Sequence, residues 1–331
     1  MKVLVTGASG MLGRSTAQAL ADRGDEVTVL QRRPSGASAP ISEVLGDIVD
    51  AEVVRRAATG QEAVVHLAAR VGVVGSEAEF TAANVDGTAN VLAAARAAGV
   101  ERLVHVSTPS VAHAGEPLVG AGTGPADAPA AKGHYARTKA RAERLALGAA
   151  DALAVVAIRP HLVWGPGDTQ LIGRIVDRAR SGRLALVDDG AALIDTTYLD
   201  NAVDALVAAL DRADADEVRG RAFVVSNGQP RTVAELLGRI CRAAGLPAPH
   251  RHVPLPVAYA GGSVAEKVWA RLQRTDDPPM TAFLAEQLAT AHWFDQREVR
   301  EALRWRPRVG LEEGFDRLAA WFSSQDPSPR S

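Results

Sequence analysis

The chain has 331 residues, of which 47% are hydrophobic and 23% are charged, and its formal net charge is -2. These values are ordinary for a globular protein of one large or two modest domains, and the weak net charge gives no reason to expect nucleic acid or an anionic membrane as a partner. The single cysteine, Cys241, excludes an internal disulfide and a thiolate metal cluster. No apolar run reaches the roughly 18 residues of a membrane span, and the chain opens directly on MKVLVTG, so we expect a cytoplasmic protein.

The first half of the sequence alternates between apolar runs and segments with helical spacing. Strands are predicted in KVLVTG, DEVTVLQRR, EAVVHLAA, VERLVHVST and LAVVAIRP. Helices are predicted in GMLGRSTAQALADRG, DAEVVRRAATG, TAANVDGTANVLAAARAAG and YARTKARAERLALGA. This alternation predicts an α/β fold with a doubly wound parallel sheet of the Rossmann type.

After Pro160 the alternation loosens, and a mostly apolar helix from Leu255 to Leu272 lies among clustered prolines. We therefore predict a smaller C-terminal substrate domain that is interleaved with the first domain. The predicted division assigns 1–165 and 192–214 to a dinucleotide-binding domain, 166–191 and 215–322 to the substrate domain, and 323–331 to a disordered tail. His250 and His252 have no third ligand nearby, so no metal site is expected.

Three glycines follow the first predicted strand in TGASGMLG, at Gly7, Gly10 and Gly13. Glycine allows a tight turn and lets the backbone approach a pyrophosphate at a helix N-terminus. The position of the loop between the first strand and the first helix predicts dinucleotide binding. No G-K-[ST] follows, which disfavours a nucleoside triphosphate loop.

The end of the second predicted strand bears on the choice between NADP(H) and NAD(H). An acidic residue there would accept the ribose hydroxyls of NAD, but the sequence has Gln31, Arg32 and Arg33. Two guanidinium groups suit a 2′-phosphate, so NADP(H) is predicted to be preferred, although arginine is abundant throughout the chain. Asp47 in GDIVD could reach the adenine amino group, or it could simply cap the next helix.

Tyr135 and Lys139 lie four residues apart in YARTK, in a chain that has only 3 tyrosines. On a helix this spacing puts both side chains on one face. A nearby ammonium would bring the phenol pKa, ordinarily about 10, toward neutrality, whereas the alternative is a packed tyrosine beside a solvated lysine. Ser107 and Thr108 follow a predicted strand, where a hydroxyl could hold the substrate oxygen. Together these residues favour hydride transfer at a secondary alcohol or ketone.

The ordered motifs TGASGMLG, GDIVD, HLAA, NVDGTANVL, VHVST, YARTK and RPHLVWGPGD resemble the extended short-chain dehydrogenase/reductase superfamily. The resemblance implies that Tyr135 is the acid-base, Lys139 its activator and ribose ligand, and Thr108 the hydroxyl partner, with Ser107 as the alternative. It also implies that Asn84 supports the proton relay and that the helices carrying Asn84 and Tyr135 form a homodimer face. The cofactor contacts that it implies, together with the two arginines, are Gly7, Ser9, Gly10, Met11, Leu12, Gly13, Arg32, Arg33, Asp47, Ile48, Leu67, Ala68, Ala69, Tyr135, Lys139, Pro160 and Leu162.

Two positions bear on the branch of this superfamily. Members that bind nucleotide sugars typically have Asn and Arg where this chain has Leu162 and Ile194, which argues against a sugar-nucleotide epimerase or dehydratase. The later segments instead resemble the 3β-hydroxysteroid dehydrogenase/isomerase branch, and within it the bacterial 2-alkyl-3-oxoalkanoate reductases. That likeness implies NADPH-dependent reduction of a β-keto acid with an apolar body. A 3β-hydroxysteroid-type dehydrogenase and a non-catalytic NADP(H) sensor are the other candidates.

Overall fold

The computed structural model describes residues 1–34, 40–112, 115–272, 274 and 278–325. Its strands are β1 Lys2–Thr6, β2 Glu26–Gln31, β3 Ser42–Leu45, β4 Ala63–His66, β5 Arg102–Val106, β6 Leu118–Ala121, β7 Ala154–Pro160, β8 Val163–Trp164, β9 Leu186–Val187, β10 Leu193–Ile194, β11 Thr197–Tyr198, β12 Ala222–Val225, β13 Arg231–Thr232, β14 His252–Val253 and β15 His292–Phe294. Its α-helices are α1 Met11–Asp22, α2 Ala51–Ala58, α3 Glu77–Thr81, α4 Gly87–Ala97, α5 Gly133–Leu147, α6 Ile172–Arg180, α7 Leu199–Arg212, α8 Val233–Ala243, α9 Leu255–Arg271, α10 Ala282–Ala289, α11 Arg297–Ala302 and α12 Leu311–Gln325.

Seven parallel strands form the central sheet, in the order β12-β7-β5-β4-β1-β2-β3. Its inner strands are apolar on both faces because helices cover both; Val3, Leu4 and Val5 of β1 are fully buried. The strand order reverses between β1 and β4, and ligands of such sheets bind outside the carboxyl ends of the strands at this point. The predicted Rossmann-type fold is confirmed.

A four-stranded sheet, in the order β13-β10-β15-β6, and the helices around it form the smaller part of the molecule. Its core includes Trp164, Ile194, Leu236 and Phe315. Three strands do not follow the predicted domain division. β10, which the division assigns to the dinucleotide-binding domain, lies in the small sheet. β6 pairs with β15 in the small sheet, and β12 pairs with β7 in the large one. The division into two domains otherwise stays a prediction.

Two further expectations need correction. The helix predicted in TAANVDGTANVLAAARAAG begins earlier, because Ser76 and Glu79 form a capping box before α3. The segment Ala82–Asp86 between α3 and α4 is then a π-helical turn. At the C-terminus, α12 continues to Gln325, so residues 323–325 are helical rather than part of a tail. The rest of the predicted tail, 326–331, lies outside the described residues.

Candidate active site

The carboxyl edge of the central sheet brings together most of the predicted site residues. Gly7 follows β1, Leu67 follows β4, Thr108 lies just beyond β5, and Pro160 ends β7. At the far side of the same edge, Arg32 follows β2 and Asp47 follows β3. Residues far apart in the sequence therefore line one edge, because parallel strands all end on the same side.

The glycine loop has the shape that a pyrophosphate requires. Gly7 has a φ of +82°, and a Cβ atom there would lie 2.7 Å from the amide nitrogen of Ala68. A Cβ atom at Gly13 would lie 2.4 Å from the carbonyl oxygen of Gly7, so both positions require glycine. Gly10 precedes α1 without a side-chain cap, which leaves the amides of the first helical turn for an anion. Ser9 is exposed and Met11 is half-buried in this loop.

Beside this loop, the ends of β2 and β3 carry exposed charges. Arg32 and Arg33 are both exposed, and an Arg32 guanidinium nitrogen lies 3.9 Å from an Asp47 carboxylate oxygen. Asp50 caps α2 by accepting from the amides of Glu52 and Val53. The alternative in which Asp47 caps that helix is therefore wrong.

The adjoining backbone segments are fixed by close packing. Ile48 is buried against Gly87, where a Cβ atom would lie 2.6 Å from the Ile48 Cδ1 atom. The amide of Leu67 donates to the Thr6 carbonyl at 3.1 Å, and the amide of Ala68 donates to the Thr6 hydroxyl at 3.2 Å. With Leu12 and Ala69, which are half-buried, these residues form a rigid wall beside the glycine loop.

Tyr135 and Thr108 face each other near the start of α5. The Thr108 hydroxyl hydrogen-bonds to the Tyr135 phenol and lies 3.1 Å from the Ser110 hydroxyl. Burial raises the pKa of Tyr135 to about 12, and the Thr108 hydrogen bond opposes this rise. Ser107 is buried, and its hydroxyl has no hydrogen-bond partner among the described residues. Of the two candidate hydroxyls, Thr108 is the one in contact with the phenol.

Lys139 lies one helical turn after Tyr135 and is buried. Its ammonium donates to the Val106 carbonyl at 2.6 Å and lies 3.3 Å from Nε2 of His105. Burial lowers the pKa of Lys139 to about 8, and the Glu143 carboxylate opposes the fall. The expected lowering of the phenol pKa by this ammonium is not seen. The pKa of Tyr135 responds to burial and to the Thr108 hydroxyl, whereas the ammonium is directed to the Val106 carbonyl.

A buried ion pair supports this helix, and the sequence reading does not include it. Arg159 donates to the Glu143 carboxylate at 2.6 Å, with both side chains 1% exposed. Arg159 also donates to the carbonyls of Thr123 and Gly124 at 2.6 and 3.1 Å. Two signals point to it: a glutamate four residues after Lys139, and an arginine inside an otherwise apolar strand.

His66 is a second buried group that the sequence reading misses. Its Nδ1 lies 2.7 Å from the Thr6 hydroxyl, and its Nε2 lies 3.0 Å from the Thr88 hydroxyl. Burial, together with the charge of Lys139, lowers the pKa of His66 to about 3, and burial also lowers the pKa of His105 well below its usual value. Both imidazoles are therefore neutral, and they pack near the Lys139 ammonium.

Asn84 lies in the π-helical turn and is buried. Its side-chain oxygen accepts from the Arg70 amide at 2.7 Å, and its side-chain amide donates to the Arg70 carbonyl and the Thr138 hydroxyl at 3.1 and 3.0 Å. These bonds fix the Asn84 side chain to the loop after β4 and to α5. Asn84 therefore orients the helix that carries Tyr135 and Lys139, and its own side chain points to Thr138.

A cavity of about 1210 Å³ opens in front of the phenol. Thr108, Tyr135, Pro160 and Leu162 line the side toward the sheet. Aromatic residues supply much of the remaining wall, among them Phe80, Tyr259, Trp269, Phe283 and Phe294. Leu162 has a φ of +45° and is 40% exposed, so its side chain is presented to the cavity rather than to the core. Charged side chains, among them Glu79, Lys132 and Glu286, line other parts of the wall, so the cavity combines an aromatic surface with polar groups.

Within the described part of the chain, no helix is both long and apolar enough to cross a membrane. Residues 3–226 match the family described as "NAD dependent epimerase/dehydratase family". The match spans well over half of the chain and contains the glycine loop, the Tyr135–Lys139 pair and Pro160. The protein belongs to this family.

Its curated relatives bear names of reductases and dehydrogenases. The chain is 42% identical over 328 residues to the 2-alkyl-3-oxoalkanoate reductase of Stenotrophomonas maltophilia, covering 97% of this chain and 99% of that protein. It is 38% identical to the protein of the same name from Shewanella oneidensis, covering 96% of this chain and 85% of that protein. The predicted extended short-chain dehydrogenase/reductase class is confirmed, and with it an NAD(P)-dependent oxidoreductase.

Solved structures give the same fold. MoeE5 in complex with UDP-glucose and NAD has a TM-score of 0.76 at 26% identity, covering 98% of this chain and 99% of that chain. The dTDP-glucose 4,6-dehydratase DesIV from Streptomyces venezuelae, with NAD and DAU bound, has a TM-score of 0.76 at 25% identity, covering 98% of this chain and 97% of that chain. Both structures contain NAD, and the glycine loop described above fits a dinucleotide of this kind.

Proposed function

We propose that the protein reduces the ketone of an apolar 2-alkyl-3-oxoalkanoic acid to the 3-hydroxy acid and prefers NADP(H) to NAD(H). The observation that carries the proposal is the Tyr135 phenol, hydrogen-bonded to Thr108, at the wall of a cavity rich in aromatic side chains on the carboxyl edge of the sheet. The names of the two bacterial relatives support the same substrate class.

The residues divide the chemistry between them. A bound reduced nicotinamide would supply the hydride to the ketone carbon. Tyr135 donates its phenolic proton to the ketone oxygen, because its pKa of about 12 keeps it protonated at neutral pH. Thr108 holds that oxygen by a hydrogen bond, and the family resemblance assigns Lys139 the roles of activating the phenol and binding the cofactor ribose.

The preference for NADP(H) rests on charge. Arg32 and Arg33 are exposed at the end of β2, and no acidic residue follows that strand to accept ribose hydroxyls. The 2′-phosphate carries negative charge that one or both guanidinium groups can neutralise by charge-assisted hydrogen bonds.

The proposal that the substrate has an apolar body depends on the side chains that line the site. Ile194 and Leu162 stand where sugar-nucleotide enzymes of this superfamily typically have Arg and Asn. Leu162 lines the cavity in front of the phenol, and Ile194 lines a second cavity beside it. A diphosphate would therefore meet aliphatic side chains, which disfavours a nucleotide-sugar epimerase. The same walls suit a steroid, and a mycobacterial 3β-hydroxysteroid dehydrogenase is 28% identical, so that activity is the second candidate.

We further propose that the protein acts in the cytoplasm as a homodimer. The homodimer would form through the face made by the helices that carry Asn84 and Tyr135, as the family resemblance implies. Sedimentation of the full chain tests the dimer. A single species of about one chain mass, 34.6 kDa, would rule it out.

The test of the activity is a nicotinamide absorbance assay with the full chain. We expect NADPH oxidation with a 2-alkyl-3-oxoalkanoic acid and NADP⁺ reduction with the corresponding 3-hydroxy acid, both lost in Tyr135→Phe. Tyr198→Phe, at a buried tyrosine that lines none of the cavities at the site, is the matched control and should retain activity. Turnover of a 3-ketosteroid alone would favour the second candidate. Tight NADP⁺ binding without turnover of any ketone would favour a non-catalytic sensor.

A further inference from the structure

A second cavity, of about 1310 Å³, adjoins the one that holds the phenol. Leu162 and Trp269 line both cavities, so the two meet at the side chain two residues beyond Pro160. One end of the second cavity is lined by Arg32 and Ala69 and belongs to the cofactor cleft. The remainder extends away from the cofactor cleft into the smaller part of the molecule.

That remainder is lined by aliphatic and aromatic side chains. Leu186 and Ile194 come from β9 and β10, Leu236 and Ile240 from α8, and Phe315 from α12. All five are buried members of the core of the smaller part. We define this part of the second cavity, beyond Leu162 and Trp269, as the distal chamber. These five side chains give the inner wall of the distal chamber an apolar surface.

Arg274 lies over the Trp269 ring at the junction of the two cavities, and three further arginines line the outer end of the distal chamber. Arg174 and Arg183 are exposed, Arg178 is half-buried, and Arg178 donates to the Pro279 carbonyl at 2.8 Å. The aliphatic residues are the buried ones, so polarity rises from the inside outward. This gradient suits a flexible hydrocarbon chain whose body is desolvated inside the chamber.

We propose that the distal chamber binds one hydrocarbon arm of a two-armed substrate, while the cavity in front of Tyr135 binds the other. This inference rests on the proposed reductase function and specifies how its substrate is divided. A 2-alkyl-3-oxo acid has one chain beyond the ketone and another on C2. Both chains begin within two bonds of the reacting carbon, and the junction at Leu162 lies where two such chains would separate.

Residues that fill the chamber should therefore set chain-length specificity. Gly261 lines the chamber from α9, and a Cβ atom there meets no heavy atom within 4 Å, so Gly261→Phe adds volume without a clash at its base. Ile194→Phe fills the opposite wall. Val264→Phe lies on the same helix as Gly261, is 61% exposed and lines neither cavity, so it is the matched control.

The experiment measures kcat/KM for NADP⁺-dependent oxidation of three 2-alkyl-3-hydroxy acids. One has a long C2 arm, one has a long arm beyond C3, and one has two short arms. In the wild type each added methylene should raise kcat/KM about fourfold until the chamber is full. Gly261→Phe and Ile194→Phe should each lower kcat/KM at least tenfold for one long-armed compound. In both variants kcat/KM for the short-armed compound should stay within about twofold of the wild-type value. Val264→Phe should leave kcat/KM unchanged for all three compounds.

Two results would overturn the assignment. One is an unchanged chain-length dependence in both filled variants; the other is an equal loss for all three compounds. If the wild type oxidises none of the compounds, the proposed function fails, and binding then tests the chamber alone. A fluorescent long-chain fatty acid should bind the wild type and Val264→Phe, and should bind Gly261→Phe at least tenfold more weakly. Equal binding to all three proteins would refute the chamber.

Discussion

Glu143 lies one helical turn after Lys139 on α5, and its carboxylate opposes the fall in the Lys139 pKa that burial causes. A guanidinium nitrogen of Arg159 donates to an oxygen of the same carboxylate at 2.6 Å. The three charges form a buried line in which each group has an opposite neighbour. We infer that Glu143 and Arg159 are positioning residues that keep Lys139 protonated at neutral pH.

This relationship predicts a shift in the pH profile of Glu143→Gln. Lys139 carries its charge below its pKa of about 8, so activity should fall as pH rises through that value. Without the Glu143 carboxylate the pKa should drop, and the alkaline limb of kcat/KM should move to lower pH. Glu52→Gln, at an exposed pair with Arg55, should leave the limb in place.

The same substitution leaves Arg159 unpaired and should lower stability by roughly 3–5 kcal/mol. The double variant Glu143→Gln/Arg159→Met should regain most of that stability while keeping the shifted limb. An alkaline limb that stays where it is in both variants would show that the buried pair acts on folding alone.

His66 predicts a loss of stability in acid. Its folded pKa is about 3 against an ordinary 6.5, so the unfolded chain binds a proton that the folded chain does not at pH values between the two. The contribution of neutral His66 to the free energy of unfolding is therefore fully present above about pH 6.5. Below that pH the free energy of unfolding falls by roughly 1.4 kcal/mol per pH unit. His105 acts in the same direction. The free energy of unfolding of His66→Gln, measured by denaturant titration at several pH values, should depend less steeply on pH than that of the wild type. An identical slope would contradict the assignment.

Arg32 and Arg33 predict the cofactor preference. Replacing both with alanine should weaken NADP⁺ binding roughly ten- to hundredfold and leave NAD⁺ binding nearly unchanged, because only the 2′-phosphate loses its partners. Dissociation constants from calorimetry measure this directly. Arg55→Ala, on the exposed face of α2, is the control. Equal weakening of both cofactors would mean that the arginines do not read the phosphate.

Gly13→Ala should disrupt the glycine loop. The added Cβ would lie 2.4 Å from the Gly7 carbonyl oxygen, so the turn must open and its amides must move. We expect binding of both dinucleotides to weaken at least tenfold and the Tm to fall. At Gly122 a Cβ meets nothing within 4 Å, so Gly122→Ala should bind as the wild type does. Wild-type affinity in Gly13→Ala would refute the role of the loop.

Much of the fold could be predicted because its central strands are buried on both faces and read as short apolar runs. The edge strand β3 escaped prediction, since its sequence SEVL is largely exposed and alternates weakly. The π-helical turn at Asn84 also escaped, because one extra residue per turn barely alters the periodicity of an alanine-rich helix.

The residues of the candidate site could likewise be predicted only in part from the sequence. Tyr135, Lys139 and the glycine loop lie in short local motifs, so the sequence indicates them directly. Glu143 and Arg159 are charged residues of a kind usually found at the surface, and only the packing of α5 on β7 buries them together. The two cavities meet between segments far apart in the chain, so no local pattern indicates the distal chamber.

The central claim is that Tyr135 donates a proton while hydride passes to the C3 ketone of a 2-alkyl-3-oxo acid. It is tested most directly with NADPH that carries deuterium at the transferred position, followed by mass analysis of the product. We predict a 3-hydroxy acid with one deuterium on C3, formed by the wild type and Tyr198→Phe and absent with Tyr135→Phe. Product without deuterium, or labelled product formed equally well by Tyr135→Phe, would contradict the account.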